Sequence, residues 1–531
     1  MKKYANRGRG STSYLSNTIC EEFIALMGQR IQAEIINQVQ RSKYFAMIVD
    51  STPDLAHIDQ LTFVVRYVSE QGQVFERFLK FLPIYSHTGD SLFDSVTQIL
   101  NETSLDIQNC RGQCYDNASN MSGVYKGLRA RIQEINPLAS WIPCAAHSLN
   151  LVGMGSVGCC GEATAFFRFL QSCYTFFSGS PRRWKMLMDG LEANENSHLE
   201  TLKSLSDTRW ASHAQATKAL SINYDNIHRI LRTLSNDTTQ TADTRDEAKS
   251  LVKKMDKLET AFFSLLWNQI LQRFQATSVA LQTVDLDLVK AVSLIQSLKD
   301  YVQDLRGNFD EMEITAKRIS TTQQYKSDVT RQVTRTRRAD ESDTPDHILT
   351  GSAKFRVEVF YVIIDTLVSM LQKRCDAYRE LSSYFGFLSS LKSMSSTDIR
   401  AACRKLVNKF SADLQVELED ELIQFVSFNS GTTDLSPRNM MRLLKEQDLS
   451  SVFPNVDIAL RLYLTLPVSN ASGERSFSKL GLIKNRLRTT MTEGRLNCLT
   501  IMSTEYDLLR QIDFNALIKD FASQKCRKVR F

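Results

Sequence analysis

The chain has 531 residues, of which 43% are hydrophobic and 23% charged, with 9 Pro and 21 Gly. This composition excludes collagen-like, low-complexity and mostly disordered proteins, and the length is enough for several domains with buried cores. The formal charge of +6 permits an anionic partner but does not require one.

The cysteines and the N-terminus bear on the cellular compartment. There are 11 cysteines, an odd number scattered through a long chain, and the first residues are basic and polar without an apolar segment. Reduced thiols in the cytosol or nucleus are therefore expected, with no signal peptide and no membrane span.

Residues 1–43 predict a helical lead-in, and residues 44–165 show the alternation of an α/β layer. The apolar run at 44–49 predicts a buried strand that ends at Asp50, followed by a turn at Ser-Thr-Pro-Asp. Two more strands, at 61–68 and 74–82, complete an antiparallel meander around Gly72. The next predicted elements are a helix at 90–101, a strand at 110–116 that ends in Asp116, a turn at 117–123 into a helix at 124–135, and a short fifth strand at 141–144.

Residues 166–440 predict an all-α insertion of amphipathic helices without a convincing strand. One predicted helix face repeats every three or four residues and is interpreted as core packing, in preference to a partner-binding coiled coil; it comprises Leu288, Ala291, Ile295, Leu298, Val302 and Leu305. The polar segment near 321–352 predicts a flexible loop. Its four arginines at 331–338 leave DNA contact or nuclear import as the alternatives to a solvated loop.

Residues 441–531 predict a return to α/β structure. The apolar run at 456–466 is interpreted either as a core strand or as a dimerisation surface, and a helix begins near 469–472, where polar side chains are expected to cap it. The core face of that helix is predicted to hold Phe477, Leu480, Ile483 and Leu487. A basic stripe of Arg475, Lys479 and Arg486 lies beside Glu474.

Three carboxylates stand at special points: Asp50, Asp116 and Glu474. Each alone is explained as a turn former or a helix cap. The order of three strands, a helix, a fourth strand and a late helix is, however, that of an RNase H-like layer, in which acids from the first strand, the fourth strand and the last helix meet at one edge. Two divalent ions about 4 Å apart at such acids activate a water or a 3′-hydroxyl for phosphoryl transfer. Hard oxygen ligands indicate Mg²⁺ or Mn²⁺.

Two further motifs leave alternatives open. Cys144-Ala-Ala-His147 is half a zinc pattern without its second half, so it is interpreted as a buried Cys with His147 capping the next helix or as a phosphate-contacting His. In Asp207-Thr208-Arg209-Trp210, core packing of the Trp competes with a base-stacking Trp210 beside a phosphate-binding Arg209.

In their order, these motifs resemble the hAT-superfamily transposases, and specifically their zinc-finger MYM-type protein 1-like branch. The resemblance runs from about residue 44 to 506 and is carried by FAMIVDSTPDLAHIDQLTFVVRYV, DNASNMSGVYKGLRARIQEINP, CAAHSLNLV, DTRW and LPVSNASGERSFSKLGLIKNRLR. It implies an RNase H-like catalytic core interrupted by a large all-α insertion. It also implies that Asp50, Asp116 and Glu474 are metal-binding acids, that Cys144 and His147 form the family's C/DxxH motif, and that Trp210 of the RW pair handles a flipped base.

The resemblance implies a nuclear DNA-cleaving and strand-transferring protein with Mg²⁺ or Mn²⁺ as cofactor. A homodimer or higher oligomer through the C-terminal region is expected, and the expected DNA-binding residues are His147, Arg209, Trp210, Arg475, Lys479 and Arg486. The alternative is a catalytically silent, domesticated protein that dimerises and binds DNA. It is favoured by the lack of a Cys/His cluster, the family's DNA-recognition module, ahead of Asp50. Whether the chain is an enzyme stays open at this point.

Overall fold

The computed structural model describes residues 16–116, 118–192, 200–206, 210–284, 286–329, 349 and 351–524. The predicted arginine cluster at 331–338 and Arg209 lie outside these ranges. The chain forms two compact units: one comprises the described residues of Met1–Ser148, Leu281–Ala291 and Ala377–Phe531, and the other those of Leu149–Ala280 and Val292–Asp376. The second unit thus begins and ends earlier than the predicted insertion at 166–440.

The first unit contains a five-stranded sheet in the order β3-β2-β1-β4-β5. The strands are β1 (Phe45–Pro53), β2 (Asp59–Val68), β3 (Val74–Ile84), β4 (Cys110–Tyr115) and β5 (Ser140–Pro143). The first three pair antiparallel, whereas β4 runs parallel to both β1 and β5. This mixed sheet has the RNase H-like order, and the predicted fold class is confirmed.

Strand β1 lies in the middle of the sheet. Its first five residues are almost completely buried because β1 has a strand on each side and helices on its faces. The predicted end of the strand at Asp50 was wrong: pairing with β2 continues from Asp50 opposite Thr62 to Pro53 opposite Asp59. The turn comes after Pro53, where the Asp54 carboxylate accepts the backbone N–H groups of Ala56 and Ile58.

Helices make up most of the rest of the chain. Those of the first half are α1 (Asn17–Ser42), α2 (Gly89–Thr103), α3 (Ser119–Ser122), α4 (Leu128–Ile135), α5 (Ala145–Val157), α6 (Gly161–Ser178), α7 (Pro181–Glu192), α8 (Trp210–Ile222), α9 (Tyr224–Asn236), α10 (Ala242–Met255) and α11 (Leu258–Leu281). They are followed by α12 (Leu288–Asp304), α13 (Phe309–Ile319), α14 (Lys326–Val329), α15 (Gly351–Phe355), α16 (Tyr361–Ala377), α17 (Arg379–Phe385), α18 (Ser396–Lys409), α19 (Leu418–Phe428), α20 (Pro437–Glu446), α21 (Pro454–Thr465), α22 (Ala471–Ile483), α23 (Glu493–Thr504), α24 (Tyr506–Gln511) and α25 (Phe514–Ser523). Among the described residues, no helix is long and apolar enough to cross a membrane.

The core of the first unit lies on both faces of the sheet. Apolar side chains of α1, α2, α4, α22, α23 and α24 pack against the strands in one continuous cluster. The helix predicted at 90–101 is confirmed as α2. The helix predicted at 124–135 begins only at Leu128, because the Gly127 N–H donates to the Gly123 carbonyl and closes a turn there.

The C-terminal region contains helices where a strand was predicted. The apolar run at 456–466 belongs mainly to α21, which packs against β2, β4, α19 and α20 and is buried on nearly all sides. A helix enclosed in this way is apolar around its whole circumference, so its pattern resembles that of a buried strand. These side chains are part of the core of the monomer and do not form an exposed dimerisation surface.

The helical region confirms the predicted core face of α12 and the residue that follows it. All six predicted positions, Leu288, Ala291, Ile295, Leu298, Val302 and Leu305, are buried. Their spacing therefore reflects packing within the chain.

Candidate active site

The sheet brings Asp50 and Asp116 to the same end of neighbouring parallel strands. In the register of β1 and β4, Ile48 pairs with Cys114, and the two acids each lie two residues further along. Both are half-buried. The Asp116 carboxylate accepts the Ala118 N–H at 3.1 Å, and the Asp50 carboxylate accepts the Ser51 N–H at 2.9 Å.

Helix α22 brings Glu474 to the same place. A Cβ atom at Gly473 would lie 3.3 Å from the Asp50 Cβ and 3.2 Å from the Thr62 Cγ2, so the missing side chain lets the helix backbone rest directly on β1 and β2. Glu474 is the next residue. The polar side chains at 469–472 do not cap this helix as predicted; instead the Asn470 carbonyl accepts the Glu474 N–H at 3.1 Å.

The charges at this point repel one another. Burial, and after it the neighbouring carboxylates of Glu474 and Asp116, raise the pKa of Asp50 to about 8, against the opposing effect of the Ser51 N–H. Without a compensating cation, Asp50 therefore retains its proton at neutral pH. The structure brings all three sequence-predicted acids into one electrostatically coupled group.

The donor chemistry of this group suits Mg²⁺ or Mn²⁺, because all three side chains offer hard carboxylate oxygens. Within the described ranges, no three His, Cys, Asp or Glu side chains are arranged to hold a metal ion. The raised pKa of Asp50 reflects its burial first and the neighbouring carboxylates second, and a bound cation would offset both effects.

Three polar contacts fix α22 on the sheet. At its start, the Ser472 hydroxyl donates to the Glu76 carboxylate, which also binds the buried Arg66 guanidinium at 2.7 Å. One turn later, the Thr62 and Ser476 hydroxyl oxygens are 2.8 Å apart. These contacts come from β2 and β3, and they set the position of Glu474 along the sheet.

The third contact lies just past the end of α22. Lys484 Nζ donates to Asp54 Oδ2 at 2.6 Å, and both side chains are buried. Burial would raise the pKa of Asp54, but hydrogen bonds from Lys484 and from backbone N–H groups hold it below its usual value. Sequence reasoning missed this ion pair because its partners are 430 positions apart, and nothing in the motif that contains either residue points to the other.

Cys144 connects the sheet to the segment before α22. Its thiol donates to Asn470 Oδ1 at 2.8 Å, and its sulfur accepts the N–H groups of Asn470 and His147 at 3.3 Å. Burial raises the pKa of Cys144 to about 12, so the thiol stays neutral. The predicted capping role was assigned to the wrong residue: the Cys144 sulfur caps α5 and His147 receives the cap, while the His147 side chain is half-buried.

The comparisons with known proteins agree with this arrangement. Residues 2–127 match the family described as ZMYM1/FAM200, RNase-like domain, and residues 419–508 match the hAT family C-terminal dimerisation region. Two regions of the chain are therefore similar to the RNase-like and dimerisation domains of hAT transposase-derived proteins.

The chain is also distantly similar to two curated mammalian proteins named 52 kDa repressor of the inhibitor of the protein kinase. It is 22% identical to the human protein over 514 residues and 21% identical to the mouse protein over 517 residues. In both cases the match covers 95% of this chain and 67% of the relative. Asp50 and Asp116 fall in the RNase-like match and Glu474 in the dimerisation match.

Trp210 of the hAT-like RW pair lies in the second unit and is buried. Its ring stacks on His213 at 4.3 Å and meets Phe167 edge-on at 5.9 Å, and it covers the backbone of Gly153. Its indole N–H has no hydrogen-bond partner within the described part of the chain. This position supports the packing interpretation of Trp210 that the sequence left open.

Of the predicted basic stripe, Arg475 and Lys479 lie on α22, four residues apart, whereas Arg486 does not. Arg475 is exposed but lies 3.8 Å from Glu76 and donates to the Gln282 carbonyl, while Lys479 is half-buried. Helix α22 ends at Ile483, so Arg486 and Leu487 lie beyond it. Leu487 is 95% exposed, and its predicted place in the core was wrong.

Proposed function

We propose that this chain is a hAT transposase-like DNA-processing protein whose reaction site consists of Asp50, Asp116 and Glu474. The observation that supports this most directly is the contact of Gly473 with Asp50, because it brings Glu474, an acid 424 positions after Asp50 in the chain, to the part of the sheet where Asp50 and Asp116 lie. A protein that only binds DNA has no physical need for three carboxylates that repel one another.

Asp50, Asp116 and Glu474 would hold Mg²⁺ or Mn²⁺. When bound, a pair of such ions activates a water or a 3′-hydroxyl and stabilises the leaving oxygen of a phosphoryl transfer. The chain itself contributes the spacing of the acids and a proton that Asp50 releases when a cation arrives. Contacts of Cys144 with Asn470 and of Glu76 with Ser472 orient the start of α22, and thus Glu474.

The test is Mn²⁺-dependent nicking of supercoiled plasmid by the purified chain. We expect Asp116→Asn to abolish nicking while leaving the melting temperature and DNA affinity close to those of the wild type. Asp94→Asn, which changes an exposed acid on α2, is the matched control and should nick normally. Nicking that survives Asp116→Asn contradicts the assignment of the three acids.

The second candidate is a catalytically silent nuclear protein that dimerises and binds DNA. It is favoured by the distant relatives, whose name describes a repressor and not a nuclease. In this case the DNA contacts would come from His147, Arg209, Trp210, Arg475, Lys479 and Arg486, although Trp210 would first have to leave its buried position. Wild-type and Asp116→Asn proteins that both bind DNA without nicking it would support this function.

A further inference from the structure

Two adjacent cysteines, Cys159 and Cys160, lie in the turn that joins α5 to α6. All described cysteines are free thiols, and five of them are buried: Cys110, Cys114, Cys144, Cys173 and Cys403. Cys159 and Cys160 are instead partly exposed. Two accessible thiols therefore stand side by side on the surface of the second unit.

The two sulfur atoms interact. The neighbouring Cys160 thiol and, to a lesser extent, the Thr366 hydroxyl stabilise the Cys159 thiolate and lower the pKa of Cys159 to about 7, against the opposing effect of burial. The neighbouring Cys159 sulfur and burial raise the pKa of Cys160. At neutral pH Cys159 is therefore partly ionised, and its nucleophilic thiolate lies next to the Cys160 thiol.

The glycines on either side leave the turn open. A Cβ atom at Gly161 would meet no atom within 4 Å, and at Gly158 the nearest atoms are backbone carbonyl oxygens at 3.8 and 3.9 Å. The space beside these glycines is therefore open, and both cysteines of the turn are partly exposed. The Cys160 carbonyl accepts the Thr164 N–H at 3.3 Å, which ties the turn to the first turn of α6.

We propose that Cys159 and Cys160 form a vicinal dithiol site that binds a trivalent arsenical through both sulfur atoms. With a monosubstituted arsenic(III) oxide, two As–S bonds form and the oxygen leaves as one water, which takes the proton of the Cys160 thiol and a second proton from the Cys159 thiol or, where Cys159 is ionised, from solvent. No electrons are transferred. The Cys159 thiolate attacks first, and the Cys160 thiol closes the chelate as it loses its proton.

A bridging atom fits this pair better than a direct disulfide bond. Neighbouring Cα atoms are about 3.8 Å apart across a trans peptide, which is shorter than the separation of about 4.4–6.8 Å usual for disulfides. A bridge through arsenic spans the two sulfur atoms without drawing them into bonding contact. Closing the second bond is intramolecular, so the chelate holds far longer than two separate bonds.

The test treats the full chain with phenylarsine oxide and measures the intact mass. We expect one adduct per chain, with the mass of the reagent less one water, that survives excess glutathione and is removed by dithiothreitol. Cys159→Ser and Cys160→Ser should each lose this resistant adduct, whereas Cys20→Ser, which changes a single exposed thiol on α1, should keep it.

Peptide mapping should locate the resistant adduct on the peptide that contains Cys159 and Cys160. A resistant adduct that persists in both serine variants, or a wild-type chain without one, overturns the proposal. Circular dichroism of each variant separates loss of the site from loss of the fold. None of these outcomes depends on whether the acidic site cuts DNA.

Discussion

Asp50 shows how a single side chain can oppose the stability of the fold that holds it. Burial and two neighbouring carboxylates raise its pKa to about 8, so ionisation is unfavourable in the folded chain. In the unfolded chain the same group ionises near its usual pKa of 3.8. Acids placed in this way are typical of functional sites, where an arrangement that binds a ligand costs stability in its absence.

We expect the stability of the wild type to fall as the pH rises between about 4 and 8. In this range the folded chain holds the Asp50 proton and the unfolded chain does not, so each pH unit lowers the free energy of unfolding by up to about 1.4 kcal/mol. Asp50→Asn lacks this loss. Thermal melts at pH 5, 7, 8, 9 and 10 should show its advantage over the wild type growing to about pH 8 and then levelling off.

The comparison needs a variant in which an ordinary acid is neutralised. Asp94 is exposed on α2, and Asp94→Asn should follow the wild-type pH dependence. Mn²⁺ should reduce the advantage of Asp50→Asn at pH 8, because a cation stabilises the ionised wild-type acid. Parallel pH curves for the wild type and Asp50→Asn would show that Asp50 does not have a raised pKa.

At the scale of elements, α22 depends on polar contacts at both ends and in its middle. Ser472 binds Glu76 at the start, Ser476 meets Thr62, and Lys484 binds Asp54 just after the end. Phe477 and Leu480 pack into the core beside them. A helix held in this way presents Glu474 at one place on the sheet.

We expect Lys484→Met to destabilise the chain by about 3 kcal/mol, because it leaves the buried Asp54 carboxylate without its cation. Asp54→Asn in the same chain should recover part of this loss, since the two effects are coupled. Lys479→Met, which removes a half-buried lysine of the same helix, is the control. Urea unfolding measures all of them, and equal losses for Lys484→Met and Lys479→Met would contradict the role of the ion pair.

The sequence predicted those elements whose environment leaves a clear pattern. Strands β1 to β4 were recognised from short apolar runs between turn signals, and the acids at 50 and 116 followed from the ends of those runs. The extension of β1 to Pro53 was missed because it depends on pairing with β2. In the same way, the contacts of Lys484 with Asp54 and of Cys144 with Asn470 join residues hundreds of positions apart.

The strand predicted at 456–466 was wrong, because most of these residues belong to helix α21. Its residues are buried on nearly all sides, so hydrophobicity alone did not distinguish a helix from a strand. Pro454 at its first turn was the available signal, because proline suits the start of a helix. The consequence extends beyond one element, since the dimerisation surface expected at 456–466 must lie elsewhere.

At the scale of the whole molecule, the acidic site lies entirely within one of the two compact units. The described residues of this unit belong to three segments of the chain, which are Met1–Ser148, the short segment Leu281–Ala291 and Ala377–Phe531. Asp50 and Asp116 lie in the first of these segments and Glu474 lies in the last, so the residues of the second unit come between them in the sequence. A long helical insertion is therefore compatible with the site, because the sheet and α22 meet within a single unit.

The match to a dimerisation region raises the question of which surface joins two copies. With 456–466 buried, the large exposed apolar side chains near the end of α22 are Leu482, 71% exposed, and Leu487, 95% exposed. Both lie within the matched residues 419–508. Isolated exposed leucines are common on protein surfaces. Here, however, two exposed leucines lie close together in the sequence and inside the region that matches a dimerisation domain, so they are suited to contact a second copy.

We therefore expect the wild type to scatter light as a dimer, with about twice the chain mass of 60.4 kDa, and the double variant Leu482→Glu/Leu487→Glu as a monomer. Burying the two new carboxylates of each chain at such a contact would cost more free energy of dimerisation than the loss of the leucine side chains alone. The dimer should therefore dissociate at micromolar concentration. Ile314→Glu changes an equally apolar exposed position on α13 outside the match and should leave the mass unchanged. A double variant that stays dimeric would contradict a contact at Leu482 and Leu487. Dissociation would mean that α22 carries Glu474 near its start, and that its last turn and the residues just after it contact the second copy.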